Sequence, residues 1–323
     1  MSLLLDFSFC RFFQNRASYG GALYLEDAQL RIFNSSFAQN EADLSGGAIY
    51  VNNIQRSTLS IFQSSFEMNV AHGDSRMHGL DESALLRTSN RTLMFTGMGG
   101  ALFAHDPVSV EITSSTFLRN RGCRGAGGLG VTHFSLAVVP TSIPLFNISH
   151  SVFEENQGFC GPQPDALLTF YLERYPNPAG GVMYESSTEA DIVWTLSHSN
   201  FTRNSAVYGG GLSIQTATSA MIDHRIASCR FTGNKALSGG GGLFMTSGMV
   251  SVMSSNFTQG RATYGAGVTA IEWATLSVIR NPTSPEEVSY IEGNVAIYAG
   301  GIYTAAEGVP SDFEFGLERG IGF

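Results

Sequence analysis

The sequence predicts an all-β protein, a right-handed parallel β-helix of about nine coils with loop inserts. Three observations predict it. A glycine-pair motif recurs along the chain, a Ser-x-Phe-x-x-Asn motif recurs in register with it, and apolar residues alternate with polar ones inside each motif. A period of two is strand geometry, and a repeat of about 25 to 30 residues fits one coil of a solenoid. We place the β-helix at residues 1–308 and an irregular tail at 309–323.

The glycine-pair motif is clearest in three copies, Gly20–Tyr24, Gly46–Tyr50 and Gly99–Phe103, which read Gly-Gly-Ala, then an aliphatic and an aromatic residue. Glycine permits a positive φ and a close backbone approach where the chain turns into a strand. Alignment of all copies predicts an inward-pointing aliphatic column: Leu23, Ile49, Leu102, Leu129, Met183, Leu212, Leu243, Val268 and Ile302.

The Ser-x-Phe-x-x-Asn motif predicts a structural ladder inside the coils. We expect the phenylalanines to stack in the interior and the serines to hydrogen-bond along the stack. Asparagine tolerates left-handed backbone at a turn, and its amide can bond to the amide of the next coil. The central members of this ladder are Phe37, Phe66, Phe117, Asn40, Asn69 and Asn120.

A third motif of alternating aliphatic residues precedes the serine, as in Leu30-x-Ile32 and Leu59-x-Ile61. The pattern therefore predicts three short strands per coil. One coil cannot bury its inward face alone, so the core must come from coils stacked at a spacing of roughly 4.8 Å.

These motifs resemble the polymorphic outer membrane protein repeats of chlamydiae, in which a Gly-Gly-aliphatic motif is paired with Phe-x-x-Asn. The resemblance covers residues 7–307. It implies a β-helical passenger of an autotransported surface adhesin, which a separate C-terminal membrane domain anchors. This chain has no membrane-spanning run and a poor signal peptide at Met1–Leu5, and it starts inside a coil, so an anchor would lie in a missing region.

Three inserts interrupt the repeat, at about residues 70–98, 157–179 and 279–289. The first two leave from the same turn and should project from the same edge of the solenoid. Long loops on a rigid scaffold are a usual place for binding, and the second insert carries Tyr171 and Tyr175. The alternative interpretation is tolerated drift in loop length, or a flap over apolar surface.

Charged residues are few in this sequence. The net charge of −9 argues against a nucleic-acid partner, because the sequence has no basic stripe to neutralise phosphates. The acids after the glycine strands are scattered, and ordinary solvated strand ends explain them better than the paired carboxylates of a polysaccharide-cleaving β-helix. His105 and Asp106 should point to opposite faces because they are neighbours in a strand, and His224 is interpreted as a structural residue. We name no catalytic residue, metal site or cofactor.

The four cysteines fall into two classes. Cys10 and Cys229 replace serine in an inward column and are predicted to be inert structural thiols. Cys123 and Cys160 follow ladder asparagines in consecutive coils, about 5 Å apart if the coils stack, which is within disulfide range. A disulfide between them is a hypothesis that requires an oxidising compartment.

An aromatic stripe is expected on the outer face if Leu23 and Leu25 point inward. Its members would be Tyr24, Tyr50, Phe103, Tyr184, Phe244 and Tyr303. Such rings could stack on sugars or anchor a protein, and Tyr24, Tyr50 and Phe103 are the candidate binding residues. The alternative is that the rings stack on each other or lie beneath the inserts.

Three functions remain open at this level. The leading hypothesis is a non-enzymatic, adhesin-like scaffold, extracellular or at a cell surface, which binds a host protein or glycan through loops or an outer face. The alternative is a polysaccharide lyase or glycoside hydrolase on the same fold. The third is a structural spacer within a larger surface protein.

Overall fold

Four rows of parallel strands run along the axis of the computed structural model, which confirms the predicted parallel β-helix. The structure describes residues 3–52, 58–73, 97–123, 125–133, 145–160, 179–186, 193–216, 223–279 and 288–305, and this part of the chain contains no helix. The prediction of three strands per coil was wrong by one. In most coils a fourth short strand follows the ladder asparagine, because the chain stays extended before it turns into the next glycine pair.

Two rows belong to one 16-stranded sheet. The first, the glycine row, follows the glycine pairs: Leu23–Glu26, Ile49–Asn52, Leu102–His105, Leu129–His133, Val182–Ser186, Leu212–Gln215, the starts of Leu243–Met253 and Val268–Ile279, and Ile302–Ala305. The second, the aliphatic row, comes next in each coil: Leu3–Ser8, Ala28–Phe33, Thr58–Phe62, Ser109–Thr113, Leu145–Ser149, Val193–Ser197, Asp223–Ala227 and the ends of the same two long strands. Those long strands join the two rows.

The other two rows close the coil. The phenylalanine row contains Arg11–Phe13, Ser36–Ala38, Ser65–Glu67, Thr116–Leu118, Val152–Glu154, Asn200–Thr202, Arg230–Thr232, Asn256–Thr258 and Tyr290–Glu292. The asparagine row forms two four-stranded sheets: Arg16–Tyr19, Glu41–Ser45, Val70–Ala71 and Arg121–Gly122, then Ser205–Ala206, Lys235–Ala236, Arg261–Tyr264 and Val295–Tyr298. Gln157 bridges both sheets through Arg121 and Ser205.

The phenylalanine column forms a continuous interior stack. Phe37, Phe66 and Phe117 pair in register, are fully buried, and lie with ring centroids 4.9 and 4.7 Å apart in nearly parallel planes. Aromatic pairs favour centroid separations of about 4.5–7 Å, and the strand spacing of roughly 4.8 Å brings the rings of neighbouring coils into that range with their planes parallel. The repeat therefore sets the ring geometry.

The asparagine column links three coils at a time. The Asn69 side-chain amide donates to the Phe37 carbonyl of the preceding coil and to Asn120 Oδ1 of the next, both at 2.9 Å. Left-handed backbone occurs at the residue before the asparagine, for example Met68 (φ 51°) and Arg119 (φ 54°), and not at the ladder asparagines themselves. The expected role at that turn was thus assigned one residue too late: the residue before the asparagine makes the turn, and the buried asparagine amide bonds to the neighbouring coils.

Glycine is required at each position of the pair for a different steric reason. Gly46 has φ of 67°, a conformation that L side chains rarely adopt. At Gly47 an added Cβ would overlap the carbonyl oxygen of Gly100 in the next coil. The first position supplies the turn, and the second allows adjacent coils to approach.

Tyr184 points inward, so its assignment to the outer stripe was wrong. Leu129 pairs with Val182, not with Met183, and Tyr184 pairs with the inward Val131. In this coil Ala179 occupies the place of the first glycine, and Gly180 and Gly181 occupy the next two. A shift of one residue moves every side chain to the opposite face of a strand.

The first insert is shorter than the sequence suggests. Val70–Ala71 pairs with Glu41–Ala42 on one side and Arg121–Gly122 on the other, so these residues complete a coil. Gly97 and Met98 belong to the next coil, because their amides donate to Leu44 O and to Ser45 Oγ.

Candidate functional site

One outer corner of the solenoid is formed by two sets of side chains. Residues just before a glycine pair pack there on the second residue of a glycine-row strand. At its start Tyr24 and Tyr50 lie parallel with centroids 5.5 Å apart, and Tyr19 packs on Tyr50 at 5.0 Å. Tyr50 also contacts Phe103 at 5.6 Å. We call Tyr19, Tyr24, Tyr50 and Phe103 the aromatic corner.

Exposure falls steeply along the aromatic corner. Tyr24 is 50% exposed, Tyr50 is 5% exposed and Phe103 is fully buried beside Met98. Burial, reinforced by the neighbouring tyrosines, raises the pKa of Tyr50 well above its ordinary value. Phe103 has no surface for a ligand and serves as packing, whereas Tyr24 is exposed and Tyr19 is partly exposed, so these two rings can contact a partner. Tyr171 and Tyr175 lie outside the described residues.

A second feature is an open groove between the phenylalanine and asparagine rows. Its volume is about 410 Å³. We call it the arginine groove, because three of its lining side chains are arginines: Met68, Val70, Arg119, Arg121, Glu155, Gln157 and Arg203. A groove of this size can hold part of a small ligand or one to two sugar rings.

Ion pairs order the guanidinium groups on one side of the arginine groove. Glu155 accepts from Arg119 Nε at 2.7 Å and from Arg203 at 2.9 Å, and Arg203 also pairs with Glu154. The hydrogen bond from Arg119, followed by its charge, lowers the pKa of the Glu155 carboxyl. Exposed pairs contribute little to stability, so their main effect is to hold the arginine side chains in place.

Sequence reasoning missed the arginine groove, although a signal was present. The residue before each ladder asparagine reads Arg119, Glu155 and Arg203 in three consecutive coils, and charges that alternate in sign down a column meet when coils stack. Trp273, which is 73% exposed, was also missed. It follows a register shift between Met245 and Ser247 that the repeat pattern does not predict.

His105 and Asp106 do meet, which corrects the expectation that they face opposite ways. Asp106 lies past the strand end with φ of 50°, so its carboxylate folds back to 3.5 Å from His105 Nε2. His105 Nδ1 lies 3.0 Å from the Thr132 hydroxyl in the next coil. Burial lowers the pKa of His105 and Asp106 partly opposes this shift, so the imidazole is neutral at pH 7.

Glu185 lies two coils beyond His105 in the same outward column, with Thr132 between them. Burial raises the pKa of its carboxyl to about 7. The next carboxylate of this column, Glu26, is four coils from Glu185, which is roughly 19 Å at the usual strand spacing. Glycoside hydrolysis uses carboxyl groups about 5 to 9.5 Å apart, so this column supplies no such pair.

The cysteines divide as two bonded and two free. Cys123 and Cys160 form a disulfide with a Cα–Cα distance of 4.5 Å, between neighbouring coils. Cys229 is buried, and burial raises the pKa of its thiol to about 12, which keeps it protonated and unreactive. Cys10 is free and partly buried.

The interior is filled by side chains. A void of about 10 Å³ lies between Phe146, Tyr184 and Trp194, and it is too small for a ligand. His224 is 1% exposed and stacks on Trp194 with centroids 4.8 Å apart, in keeping with a structural residue. Within the described ranges no three His, Cys, Asp or Glu residues cluster as metal ligands, and no helix could span a membrane.

The chain carries a known repeat. The family model described as Chlamydia polymorphic membrane protein (Chlamydia_PMP) repeat matches residues 34–52 and 228–246. Each match includes a ladder phenylalanine, a ladder asparagine and a glycine pair, in the same order. No curated protein and no solved structure gives a significant match. A repeat of this family indicates a surface-exposed protein and names neither a ligand nor a reaction.

Proposed function

We propose that this chain, which carries Chlamydia polymorphic membrane protein repeats, is a non-enzymatic, adhesin-like scaffold that binds an anionic glycan at a cell surface. Its repeated columns all have structural roles: phenylalanine and aliphatic residues fill the core, and asparagine and glycine hold the coils in register. The residues that vary between coils are on the outer corners. Recognition is therefore expected there.

The arginine groove carries this proposal. Its lining has three arginines against Glu155, and Glu154 pairs with Arg203 beside it, so one positive charge is in excess at this place on a chain whose net charge is −9. Guanidinium groups bind sulfate and carboxylate groups with paired hydrogen bonds, which are the strong ones among surface contacts. Anionic sugars present these groups on exposed rings that fit an open groove.

The test is binding of the protein to immobilised heparin and to chemically desulfated heparin. We expect binding to the sulfated form, weakened by salt because the contacts are ionic. Arg121→Ala and Arg203→Ala should each weaken it by about tenfold or more, since a charge-assisted hydrogen bond contributes about 1.5–3 kcal/mol. Arg31→Ala, an exposed arginine of the aliphatic row, is the control for the loss of one charge.

Two results would reject the groove. If Arg31→Ala weakens binding as much as Arg121→Ala, the interaction is non-specific attraction. If the groove variants bind normally and Tyr24→Ser does not, the contact surface is the aromatic corner. A protein partner in place of a glycan would appear as binding to host cells that survives enzymatic removal of their glycans.

The polysaccharide lyase alternative has one observation in its favour, the His105–Asp106 contact near a carboxyl of raised pKa at Glu185. Activity on a panel of uronic-acid polymers, with and without calcium, tests it. Cleavage that His105→Ala abolishes would replace the scaffold proposal. The spacer alternative predicts no specific binding by any variant.

A further inference from the structure

Two exposed histidines lie over one another on the outside of the solenoid. The rings of His150 and His198 are nearly parallel, with centroids 4.8 Å apart. Both residues lie at the turn between the aliphatic and phenylalanine rows, in consecutive coils, with φ of 52° and 48°. The His150 amide donates to Ser197 O at 3.1 Å and the His198 amide donates to Ala227 O at 3.0 Å. The backbone of the stack therefore holds the pair together.

This spacing suits metal coordination. Two imidazoles bound to one ion through bonds of about 2.0–2.1 Å, at angles between 90° and 109°, have ring centroids roughly 4.5–5 Å apart. The observed separation already lies in that range. Binding would require the exposed rings to rotate so that one nitrogen of each points to a common ion, without movement of the backbone.

The neighbours of the pair in the same column carry no positive charge. The same turn position is occupied by Ser114 in the coil before His150 and by Ser228 in the coil after His198. Both neighbours carry hydroxyl groups, so no positive side chain shares this column beside the pair. Imidazole is a preferred ligand of zinc, copper and nickel ions, and water would complete the coordination.

We propose that His150 and His198 form a two-histidine surface site for a divalent transition-metal ion. The sequence alone predicts no metal site, because the two residues are 48 positions apart and match no ligand spacing. The site is independent of the proposed glycan binding. The free coordination positions face solvent, so a ligand from another molecule can reach the ion.

The experiment is titration of untagged protein with Cu²⁺ at pH 8. Copper binds nitrogen sites most tightly among these ions. We expect an electron paramagnetic resonance spectrum with two coordinated nitrogens. His150→Ala and His198→Ala should each lower the affinity at least about tenfold, since losing a ligand costs no less than losing a ligand's hydrogen-bond partner.

Matched variants make the result decisive. His72→Ala removes another exposed histidine, whose ring faces Glu41 at 3.6 Å, and should leave the affinity unchanged. Ser228→His places a third imidazole in the column and should raise the affinity. If circular dichroism shows that the alanine variant is misfolded, His150→Gln replaces it, since glutamine keeps the size of the side chain. The proposal is overturned if the His150 and His198 variants bind copper as the unmodified protein does, or if one nitrogen is coordinated.

Discussion

Asn69 and Asn120 are 51 residues apart in sequence, yet the Asn69 side-chain amide donates to Asn120 Oδ1 at 2.9 Å. The same oxygen accepts the Asn69 backbone amide at 3.0 Å. Elsewhere in the ladder Asn204 and Asn234, which are 30 residues apart, make the same two bonds. The length of chain between coils therefore has no effect on the register of the ladder.

Removing one ladder amide should destabilise the solenoid strongly. Asn120→Ala removes the acceptor of the Asn69 backbone amide, one of the two acceptors of the Asn69 side-chain amide, and one donor to the carbonyl of Phe66, all in a buried site. We expect a loss of about 3–5 kcal/mol in unfolding free energy, measured by urea denaturation. Asn200→Ala, on an exposed strand position, should cost under about 1 kcal/mol. Equal midpoints for both variants would contradict the structural role of the ladder.

Truncation within the phenylalanine stack should be costly as well. Phe37 is fully buried between Phe12 and Phe66, so Phe37→Ala creates a cavity and is expected to cost about 3–5 kcal/mol. Phe33→Ala removes the same side chain at a position that is 39% exposed and should cost clearly less. Denaturant midpoints of the two variants provide the comparison, and a larger effect at Phe33 would place the core elsewhere.

The carboxyl of Glu185 should make stability depend on pH. Its pKa is about 7 in the fold and about 4.3 in an unfolded chain, so between these values the folded state binds more protons. Stability is then greatest below about pH 4 and falls as pH rises to 7. We expect the unfolding free energy of Glu185→Gln to exceed that of the unmodified protein by about 1–3 kcal/mol at pH 8. This is less than the full pKa shift would give, because the side chain is partly exposed.

The control for this pH effect is Glu26→Gln, an exposed carboxyl of the same outward column. It should change stability little at either pH. The measurement is the unfolding free energy at pH 4 and pH 8. A Glu185→Gln variant that gains as much at pH 4 as at pH 8 would show that the carboxyl is not the cause.

The disulfide should contribute to stability in the oxidised protein. Cys123 and Cys160 close a loop with a sequence separation of 37, and replacing both with serine should cost about 2–4 kcal/mol. A reducing agent should lower the denaturation midpoint of the unmodified protein and leave that of the double variant unchanged. A midpoint of the unmodified protein that does not respond to reduction would mean that stacking alone sets the stability of these coils.

The fold was predictable because each coil repeats the same residues at the same spacing for the same physical reasons. Phe66 and Asn69 have the same spacing as Phe117 and Asn120, and equal spacing can be aligned without knowing the loops between them. The error at Met183 arose where alanine replaced a glycine of the pair, since the motif then offered two alignments one residue apart. Pairing with Leu129 selects Val182.

The candidate site was less predictable, since it depends on what covers each position. Tyr24, Tyr50 and Phe103 occupy equivalent outward positions and differ in exposure from half to none. Alternation along a strand determines which face a side chain takes, but neighbouring coils determine whether that face meets solvent.

By itself the sequence determined the parallel β-helix and, apart from the one-residue shift at Met183, the interior columns and their register, because the two-residue period of a strand and the repeat of one coil can both be recognised in the order of residues. Only the tertiary structure decided that His150 meets His198, that Arg119 and Arg203 share Glu155, and that Phe103 is buried. These contacts join different coils, and their distances follow from stacking along the axis, which no spacing along the chain specifies.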